Sequence, residues 1–334
     1  MKTSHKITLC SLVCLACLLL AVGLGSVRIS PGEIVQILAG RLTGVKASIL
    51  VSIRLPRVAM AFLTGAALAV SGTVMQSVLR NPLASSYTLG VSSGASLCAA
   101  LVILTGLSIP FIGVYTLPLM GFLGGLLTVL VAMGITRRLD GSLENHTIIL
   151  TGMVISLFVS AMLTIVTALS AEHLKELVFW QMGSFAGQKF SNCLILLPVV
   201  AVGIAVLSLH AREMDLMTFG EEQALSAGVD LRREKILLIG LSTLLTGTAV
   251  PFVGVIGFID LIAPHVVRRV FGSRHALAIP MSALFGGGFM AIADLISRTI
   301  LSPHELPVGA VTALIGAPFF TYVYFRKRRE ATKC

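Results

Sequence analysis

The chain has 334 residues, of which 56% are hydrophobic and only 12% charged, and its mean hydropathy is +0.95. A soluble globular protein carries about 25% charged residues, so most of this surface must face something other than water. The net charge of +10 would suit a nucleic-acid partner only if Lys and Arg were gathered on one soluble face, but here they lie between apolar runs. The composition excludes a soluble nucleic-acid binder and predicts a single helical domain, residues 1–334, embedded in a lipid bilayer.

Ten apolar segments approach the length of about 20 residues that a helix needs to cross the hydrocarbon core. They are 7–27, 55–79, 88–106, 113–136, 147–169, 191–209, 234–251, 255–270, 276–296 and 307–325. Pro251, Gly254 and Gly257 interrupt the run from 234 to 270, so a break is expected there. The first segment follows Lys2 and Lys6 and is longer than the apolar part of a secretory signal, so we expect it to be a retained helix.

Lys and Arg are unevenly divided between the two sides that ten crossings create. With the N-terminus in the cytoplasm, 17 of the 25 fall inside and 8 outside. Cytoplasmic loops hold the excess of positive charge, so this division predicts a multi-pass protein of the bacterial cytoplasmic (inner) membrane with both termini cytoplasmic. The flipped orientation would place the cluster from Arg326 to Arg329 outside, which the same rule disfavours.

Two outer loops are too long and too patterned to be simple connectors. Segment 28–53 contains a helix start at Pro31 followed by a short amphipathic stretch. Segment 170–190 contains a second amphipathic stretch that includes Trp180, the single tryptophan. Both are expected to lie at the membrane surface, where aromatic residues collect.

The inner loop 211–234 is the most polar stretch of the chain. Thr218 is expected to cap a short helix that has Glu221 and Glu222 in its first turn and Gly228 as its C-terminal stop. A helix this short is marginal in water, so it is expected to pack on the membrane domain or on another subunit.

Three arginines, Arg54, Arg57 and Arg298, lie at outer helix ends, against the prevailing charge bias. Their residue types leave two explanations open: the side chains snorkel to the headgroup level, or they present cations to an acidic protein that docks there. Asp294 precedes Arg298 by one turn and can pair with it. Asp260 is expected to form hydrogen bonds within the broken helix.

The chain lacks the residues of an ATPase or a metal site. No Gly-x-x-x-x-Gly-Lys-[Ser/Thr] loop is present, so the chain cannot cradle ATP phosphates in the usual way. The six cysteines are interpreted as small hydrophobic residues, because Cys10, Cys14 and Cys17 lie at helical spacing inside the first apolar run and Cys98 and Cys193 lie in or beside others; the sixth is Cys334. The sequence therefore predicts neither an enzyme nor a bound metal.

Ordered motifs recur along nearly the whole chain. They occupy 54–57 (RLPR), 65–76 (GAALAVSGTVMQ), 80–84 (RNPLA), 89–95 (LGVSSGA), 179–184 (FWQMGS), 224–228 (ALSAG), 254–258 (GVIGF), 263–268 (APHVVR) and 305–309 (ELPVG). In this order they resemble the FecCD-type permeases of ABC importers for siderophores, haem and cobalamin.

The resemblance implies an all-α, type II ABC importer permease of about ten transmembrane helices that works as a homodimer or a paired heterodimer. It implies two cytoplasmic ABC ATPase subunits, which use ATP and Mg, and an extracytoplasmic substrate-binding protein; no cofactor is expected on this chain. It further implies that Arg54, Arg57 and Arg298 meet glutamates of the binding protein.

The resemblance also assigns residues to coupling and translocation. The coupling helix that sits on the ATPase is implied to contain Glu221, Glu222, Ala224, Leu225, Ala227 and Gly228. The cytoplasmic gate is placed near Asn81, Leu83, Asn145 and His146. The pathway is predicted to be lined by residues that recur on one side of the fifth crossing segment, namely Thr151, Ser156, Ser160 and Thr164.

A lining of hydroxyl groups without strong charge suits a bulky chelate that shields its own metal. The expected function is therefore import of an iron chelate, a ferric siderophore first, with haem or cobalamin as the alternative in the same family. Two other classes stay open on the residues alone. A proton-coupled secondary transporter would need a protonatable relay, and a membrane scaffold would stimulate no ATPase.

Overall fold

The computed structural model describes residues 3–169 and 171–331, and side chains within 4–169 and 172–322. Lys2, Lys333, Cys334 and Ser170, the first residue of the predicted outer loop 170–190, lie outside the described residues, as do the side chains of Arg326 to Arg329. Throughout the described ranges the regular structure is helical, with no strand, as predicted.

The helices follow one another with short connections. They are α1 (Thr3–Gly23), α2 (Pro31–Leu38), α3 (Val45–Ser48), α4 (Leu55–Val78), α5 (Val91–Thr105), α6 (Thr116–Leu139), α7 (Asn145–Ala168), α8 (Leu174–Met182), α9 (Phe190–Leu209), α10 (Ala211–Phe219), α11 (Glu221–Ser226), α12 (Leu231–Val253), α13 (Ile259–Phe271), α14 (His275–Thr299) and α15 (Val308–Ala331). A π-helical stretch, Ile49–Arg54, joins α3 to α4.

Each of the ten predicted apolar segments overlaps one helix. Seven helices in the described ranges are long and apolar enough to cross a membrane, and α5 and the part Val308–Tyr322 of α15 are shorter apolar stretches. The remaining helix, α13, has 13 residues and spans about 20 Å, which is too short to cross the core by itself. The predicted crossing at 255–270 is thus a half-length helix preceded by an extended segment.

The predicted break between α12 and α13 is present and is built on glycine. Gly254 ends α12 with φ of 78°, and a Cβ there would collide with the Trp180 carbonyl oxygen. The exposed backbone groups of the break are satisfied by other elements: Ser184 N–H donates to the Val253 carbonyl (2.8 Å), and Tyr87 OH donates to the Ile256 carbonyl (2.9 Å). Irregular backbone at membrane depth is tolerated only when it is buried and paired in this way.

Helix α4 forms the centre of the bundle. Of its most apolar stretch 83% is buried, against 11% for α7, the most exposed of the seven long helices. Small residues bring α4 into backbone contact with its neighbours: a Cβ on Gly65 would collide with the Gly286 carbonyl of α14, and one on Gly72 with the Asp260 carbonyl of α13. The Gly- and Ala-rich sequence 64–73 is what permits this close approach.

The outer loop 28–53 folds as predicted into a short amphipathic helix, α2. Ser30 and Glu33 form a capping box: Ser30 Oγ accepts from the Glu33 N–H (3.3 Å), and Glu33 Oε2 accepts from the Ser30 N–H (2.8 Å). Lys46 of α3 donates to Glu33 Oε1 (2.5 Å), which closes the loop. Lys46 and the Ser30 amide hold the pKa of Glu33 down at about 2.

Candidate translocation and coupling sites

A charge cluster at the end of the bundle that is predicted to be the outer one joins α4, α14 and the loop before α15. The Arg57 Nε donates to Asp294 Oδ1 (2.9 Å), and its two terminal nitrogens form a fork on the Glu305 carboxylate (2.8 and 2.9 Å). Arg298 pairs with Asp294 at 3.5 Å, the i,i+4 contact expected from the sequence. Two cations and two carboxylates therefore balance one another in this cluster.

The same end of the bundle fixes the C-terminus of α1. Arg54 Nη1 donates to the carbonyl oxygens of Val22 and Gly23 (both 3.0 Å), and Arg298 Nη2 donates to that of Ala21. The last carbonyls of a helix have no intrahelical donors, and cations there also interact favourably with the helix dipole. The two arginines thus attach α1 to α4 and α14.

All three predicted docking arginines are buried. The Arg54 residue is 3% exposed, and the side chains of Arg57 and Arg298 are 7% and 8% exposed. In this conformation carboxylates and carbonyls of the chain itself accept hydrogen bonds from all three guanidinium groups. Their docking with a binding protein stays a prediction.

Little in the sequence indicates that these arginine side chains are buried. Arg57 and Asp294 are 237 positions apart, so only the tertiary fold brings them together. Glu305, whose carboxylate is 40% exposed, is the member of the cluster that faces outward. Its hydrogen bonds with Arg57 lower its pKa.

Most of the residues predicted to form the gate and the coupling helix lie near one another at the opposite end of the bundle, which is the predicted inner end. A cavity of about 800 Å³ lies between the end of α4, the start of α7 and the turn joining α10 to α11. Asn81, Asn145 and His146 line it from one side, and Glu221 and Glu222 from the other. The carbonyl oxygen of the Asn145 side chain is buried there without a hydrogen-bond partner in the described residues.

The fourth predicted gate residue, Leu83, lies beside this cavity. Its side chain is 52% exposed, and its backbone N–H donates to Asn81 Oδ1 (2.9 Å). This bond shapes the turn that follows α4. Leu83 is thereby held next to Asn81 with its apolar side chain uncovered.

The pathway residues on α7 do not share one face. Thr151 is 8% exposed and lies about 140° around the helix from Ser156. Ser156 Oγ approaches Ser93 Oγ of α5 at 3.3 Å, Ser160 is half-buried, and Thr164 is exposed and donates to the Ser160 carbonyl (3.0 Å). The prediction of a single hydroxyl face is therefore wrong at Thr151, because the spacing from 151 to 156 is five residues and not four.

The polar inner loop folds into two short helices, α10 and α11. Ala224 is fully buried, whereas Leu225 is 56% and Phe219 74% exposed, so part of the apolar surface points away from the bundle. Ala227 caps α11, and Gly228 follows with φ of 86° and its N–H bonded to the Leu225 carbonyl (2.9 Å). The predicted C-terminal stop at Gly228 is confirmed.

The predicted cap at Thr218 is wrong. Thr218 lies in the last turn of α10, and its hydroxyl donates to the carbonyls of Met214 and Asp215 (2.9 and 2.8 Å). Gly220 precedes α11 and offers no side chain to cap it. The helix at 211–219 was missed because its charged residues Arg212, Glu213 and Asp215 made the segment look like a polar loop.

The two glutamates at the start of α11 have different surroundings. Glu221 accepts from Lys235 Nζ (2.8 Å), and that ammonium group, whose side chain is fully buried, also donates to the Leu143 carbonyl (2.7 Å). Glu222 is exposed. Glu221 thus ties α11 to α12 and to the start of α7, while Glu222 is free to face outward.

A buried polar contact that the sequence did not reveal links α10 to α14. Asp215 Oδ1 accepts from the backbone N–H of His275 (3.0 Å) and lies 2.6 Å from its Nδ1. His275 Nε2 lies 2.6 Å from Ser77 Oγ of α4, which accepts from Arg268 (2.8 Å). The inner ends of α4, α10, α13 and α14 are therefore connected side chain to side chain.

Asp260 at the start of α13 is buried and bonds outside its own helix. One carboxylate oxygen accepts from Ser85 Oγ, while the other has no hydrogen-bond partner in the described residues. The Asp260 backbone carbonyl lies within reach of Gln76 Nε2 (3.4 Å). The side chain thus fastens α13 to the loop after α4.

Together these features define a multi-pass helical membrane protein whose broken helix, buried charge cluster and polar inner segment belong to a transporter subunit. The profile of the FecCD transport family matches residues 13–326, and the chain belongs to this family. It is a permease of the ABC importer class, as the resemblance implied.

Individual relatives agree with this assignment. The uncharacterized ABC transporter permease YvrB of Bacillus subtilis is 41% identical over 84% of this chain and 80% of its own length. The hemin transport permease HmuU of Yersinia pestis is 38% identical over 84% of both chains. The ferric dicitrate transport permease FecD of Escherichia coli is 34% identical over 84% of this chain and 86% of its own.

Solved structures give the same fold. A metal-chelate type ABC transporter in an inward-facing conformation superposes with a TM-score of 0.85 at 30% identity, covering 95% of this chain and 97% of that one. PsaBC of Streptococcus pneumoniae, at 17% identity and a TM-score of 0.58, shares the fold.

Proposed function

We propose that this chain forms the membrane pathway of an ATP-driven importer for an iron chelate, a ferric siderophore or ferric citrate. The observation that carries the proposal is the inner cavity, where Asn81, Asn145 and His146 face Glu221 and Glu222 across one space. A movement of α11 would change the shape of this cavity directly. Relatives named for ferric citrate and hemin support the choice of substrate class.

The energy source is assigned to partner subunits. Two cytoplasmic ATPases, which use ATP and Mg, would bind α10 and α11, where Phe219 and Leu225 supply exposed apolar side chains beside the exposed Glu222. No cofactor is assigned to this chain itself. The excess of Lys and Arg on this side supports a cytoplasmic location for both termini in the bacterial inner membrane.

A second permease subunit, identical or homologous, would pack on α7. Only 11% of the most apolar stretch of α7 is buried within the chain, and Val154, Leu157 and Phe158 are each more than 60% exposed. Two such helices facing each other would enclose the pathway, with Ser156, Ser160 and Thr164 as uncharged lining. Such a lining suits a cargo that carries its own metal ligands.

The mechanism proposed is alternating access. Closure of the ATPases on ATP moves α10 and α11, and the contacts of Lys235 and Asp215 pass this movement to the starts of α7, α12 and α14. Each step needs a contact that differs between the two states, because a ligand shifts an equilibrium only by its differential affinity. The residues around the inner cavity are the place where this difference would arise.

An extracytoplasmic binding protein would deliver the cargo at the outer end. Glu305 covers Arg57 there, so docking through the Arg57 guanidinium would require an incoming carboxylate to take the place of Glu305. Buried charges left without a partner are costly, and such an exchange keeps Arg57 paired throughout.

The test is transport in proteoliposomes that contain the permease, its ATPase and its binding protein, with ferric citrate, a ferric siderophore, haem and cobalamin offered in turn. We expect ATP-dependent uptake of a ferric chelate that vanadate blocks and a proton ionophore leaves intact. Preferred uptake of haem or cobalamin would change the assigned substrate and leave the assignment as an ATP-driven importer in place. Uptake that collapses with the proton gradient and ignores vanadate would instead establish a secondary transporter.

A further inference from the structure

A groove on the membrane-facing side of the bundle, between α6 and α12, has no role in the function proposed above. Three adjoining cavities of about 270, 510 and 390 Å³ make it up, and all three share Ile236 as a wall. Apolar side chains such as Leu126 and Leu244 line its deep part, and its inner mouth is lined by charged residues. It therefore combines an apolar channel with a polar entrance.

The entrance carries an excess of positive charge. Arg137 comes from the end of α6, and Arg232 and Arg233 come from the start of α12, together with Asp230. Arg233 pairs with Asp230 at 3.2 Å, which leaves two of three cations unbalanced. Within the described residues, Arg137 and Arg232 form no hydrogen bond or ion pair. Arg268, at the same end of the bundle, donates hydrogen bonds to three oxygen atoms of α4.

The depth of the groove corresponds to one leaflet of a bilayer. It runs from Arg233 to Leu244 along α12 and from Arg137 back to Leu126 along α6, eleven residues or about 16 Å in each case. Half of the hydrocarbon core is about 15 Å. A molecule with its charged end at the arginines would thus reach the bilayer midplane with its other end.

Two glycines keep the groove open. Gly134 of α6 and Gly240 of α12 line it, and a Cβ added to either would meet nothing within 4 Å. Glycine weakens a helix by up to about 1 kcal/mol relative to alanine. Elsewhere in the bundle glycines such as Gly65 permit close helix contact, but Gly134 and Gly240 border open space.

We propose that the groove between α6 and α12 is a binding site for an anionic phospholipid of the cytoplasmic leaflet, with the phosphate on Arg137 and Arg232 and one acyl chain beside Gly134 and Gly240. Basic pockets between helices on the cytoplasmic side suit lipid headgroups of this charge. A neutral phospholipid carries no net charge to balance the two free guanidinium groups. A soluble phosphate would leave the apolar part of the groove unfilled.

The site is tested by native mass spectrometry of the purified full chain in detergent, titrated with phosphatidylglycerol, phosphatidylcholine or glycerol 3-phosphate. We expect Arg137→Gln with Arg232→Gln to weaken phosphatidylglycerol binding about 30-fold. The charge-matched control, Arg269→Gln with Arg274→Gln, removes two exposed cations from the inner side outside the groove and should bind as the original chain does.

The double substitution Gly134→Leu with Gly240→Leu tests the contribution of the acyl chain to binding separately from that of the headgroup. This pair keeps every arginine and fills open space, so the chain should fold and yet bind phosphatidylglycerol at least tenfold more weakly. The proposal is overturned if the arginine pair behaves like its control, if the leucine pair binds lipid normally, or if glycerol 3-phosphate competes as well as the lipid does. It is also overturned if the arginine pair loses the partner ATPase while lipid binding is unchanged.

Discussion

One carboxylate oxygen of Asp215, in α10, meets both the backbone N–H and the ring Nδ1 of His275, the first residue of α14. Arg274 precedes α14 without any side-chain cap, so the carboxylate of a different helix performs this role. A negative charge at a helix N-terminus is favourable, and the contact is largely shielded from water. It attaches α10 to a helix whose other end carries Asp294, 19 residues further on.

Asp215→Asn should loosen this attachment. We expect the free energy of unfolding to fall by about 1.5–3 kcal/mol, the usual worth of a hydrogen bond to a charged group, and ATP hydrolysis to continue with reduced uptake per ATP. The ratio of uptake to hydrolysis in proteoliposomes measures the effect. Arg212→Gln, an exposed site on the same helix, is the control and should leave the ratio unchanged.

Two substitutions at His275 separate its contacts. Asn places an amide near the position of Nδ1 and can still reach Asp215, whereas Gln places one near Nε2 and can still reach Ser77. If the Asp215 contact carries the coupling, His275→Asn should retain more uptake per ATP than His275→Gln. The opposite order would assign the role to Ser77.

Glu221 and Glu222 should respond differently to replacement by alanine. Glu221→Ala removes the counter-ion of the fully buried Lys235, and because Glu221 is 34% exposed and the Leu143 carbonyl remains, we expect a loss of about 2–3 kcal/mol. Glu222→Ala leaves every described contact in place and should lower only the affinity for the ATPase. Thermal unfolding and ATPase co-purification separate the two effects, and equal stability of the variants would contradict this account.

Glu305→Gln should make Arg57 more available to an acidic partner. A partly exposed ion pair is worth up to ~1 kcal/mol, so its removal should raise the affinity for the binding protein by about fivefold. Calorimetric titration measures this, with Glu172→Gln on the outer loop as the control. Unchanged affinity would remove Arg57 from the docking surface.

The pH dependence of this exchange follows from the pKa of Glu305. Arg57 lowers that pKa. The ion pair between Glu305 and Arg57 is therefore fully formed when the pH lies above the ordinary pKa of glutamate, and it is lost only when the pH falls through the lowered pKa. Docking affinity should therefore not vary between pH 7 and pH 5 on account of Glu305.

Glu33 should keep the outer helix α2 stable at acidic pH. Its pKa is lowered to about 2, so its stabilising contribution is full above the unfolded value of roughly 4.3 and is lost as the pH falls through about 2. Lys46→Met should raise the pKa and make the α2 amides exchange faster near pH 4. Hydrogen exchange of the helix measures this, and Lys175→Met in the other outer loop should have no effect.

The elements that the sequence predicted are those that depend on local pattern. Apolar runs predicted where the ten long segments lie, although α13 is shorter than the predicted crossing. Gly254 and Gly228 predicted a break and a stop, because positive φ values restrict the choice of residue. Arg57 could not be placed, since its partners Asp294 and Glu305 lie more than 200 residues away. Thr218 was predicted to be a helix cap although it lies in the last turn of α10, because the charged residues Arg212, Glu213 and Asp215 made this segment look like part of a polar loop.

The backbone contact between Gly65 and Gly286 limits which parts of this protein can move. Neither α4 nor α14 can slide or rotate past the other without first separating, because each peptide chain occupies the space where the other would carry a side chain. Spectroscopic labels placed at exposed ends of α4 and α14, away from these glycines, should keep a constant separation through the whole transport cycle. Distances from a label on α7 to either of these two helices should change.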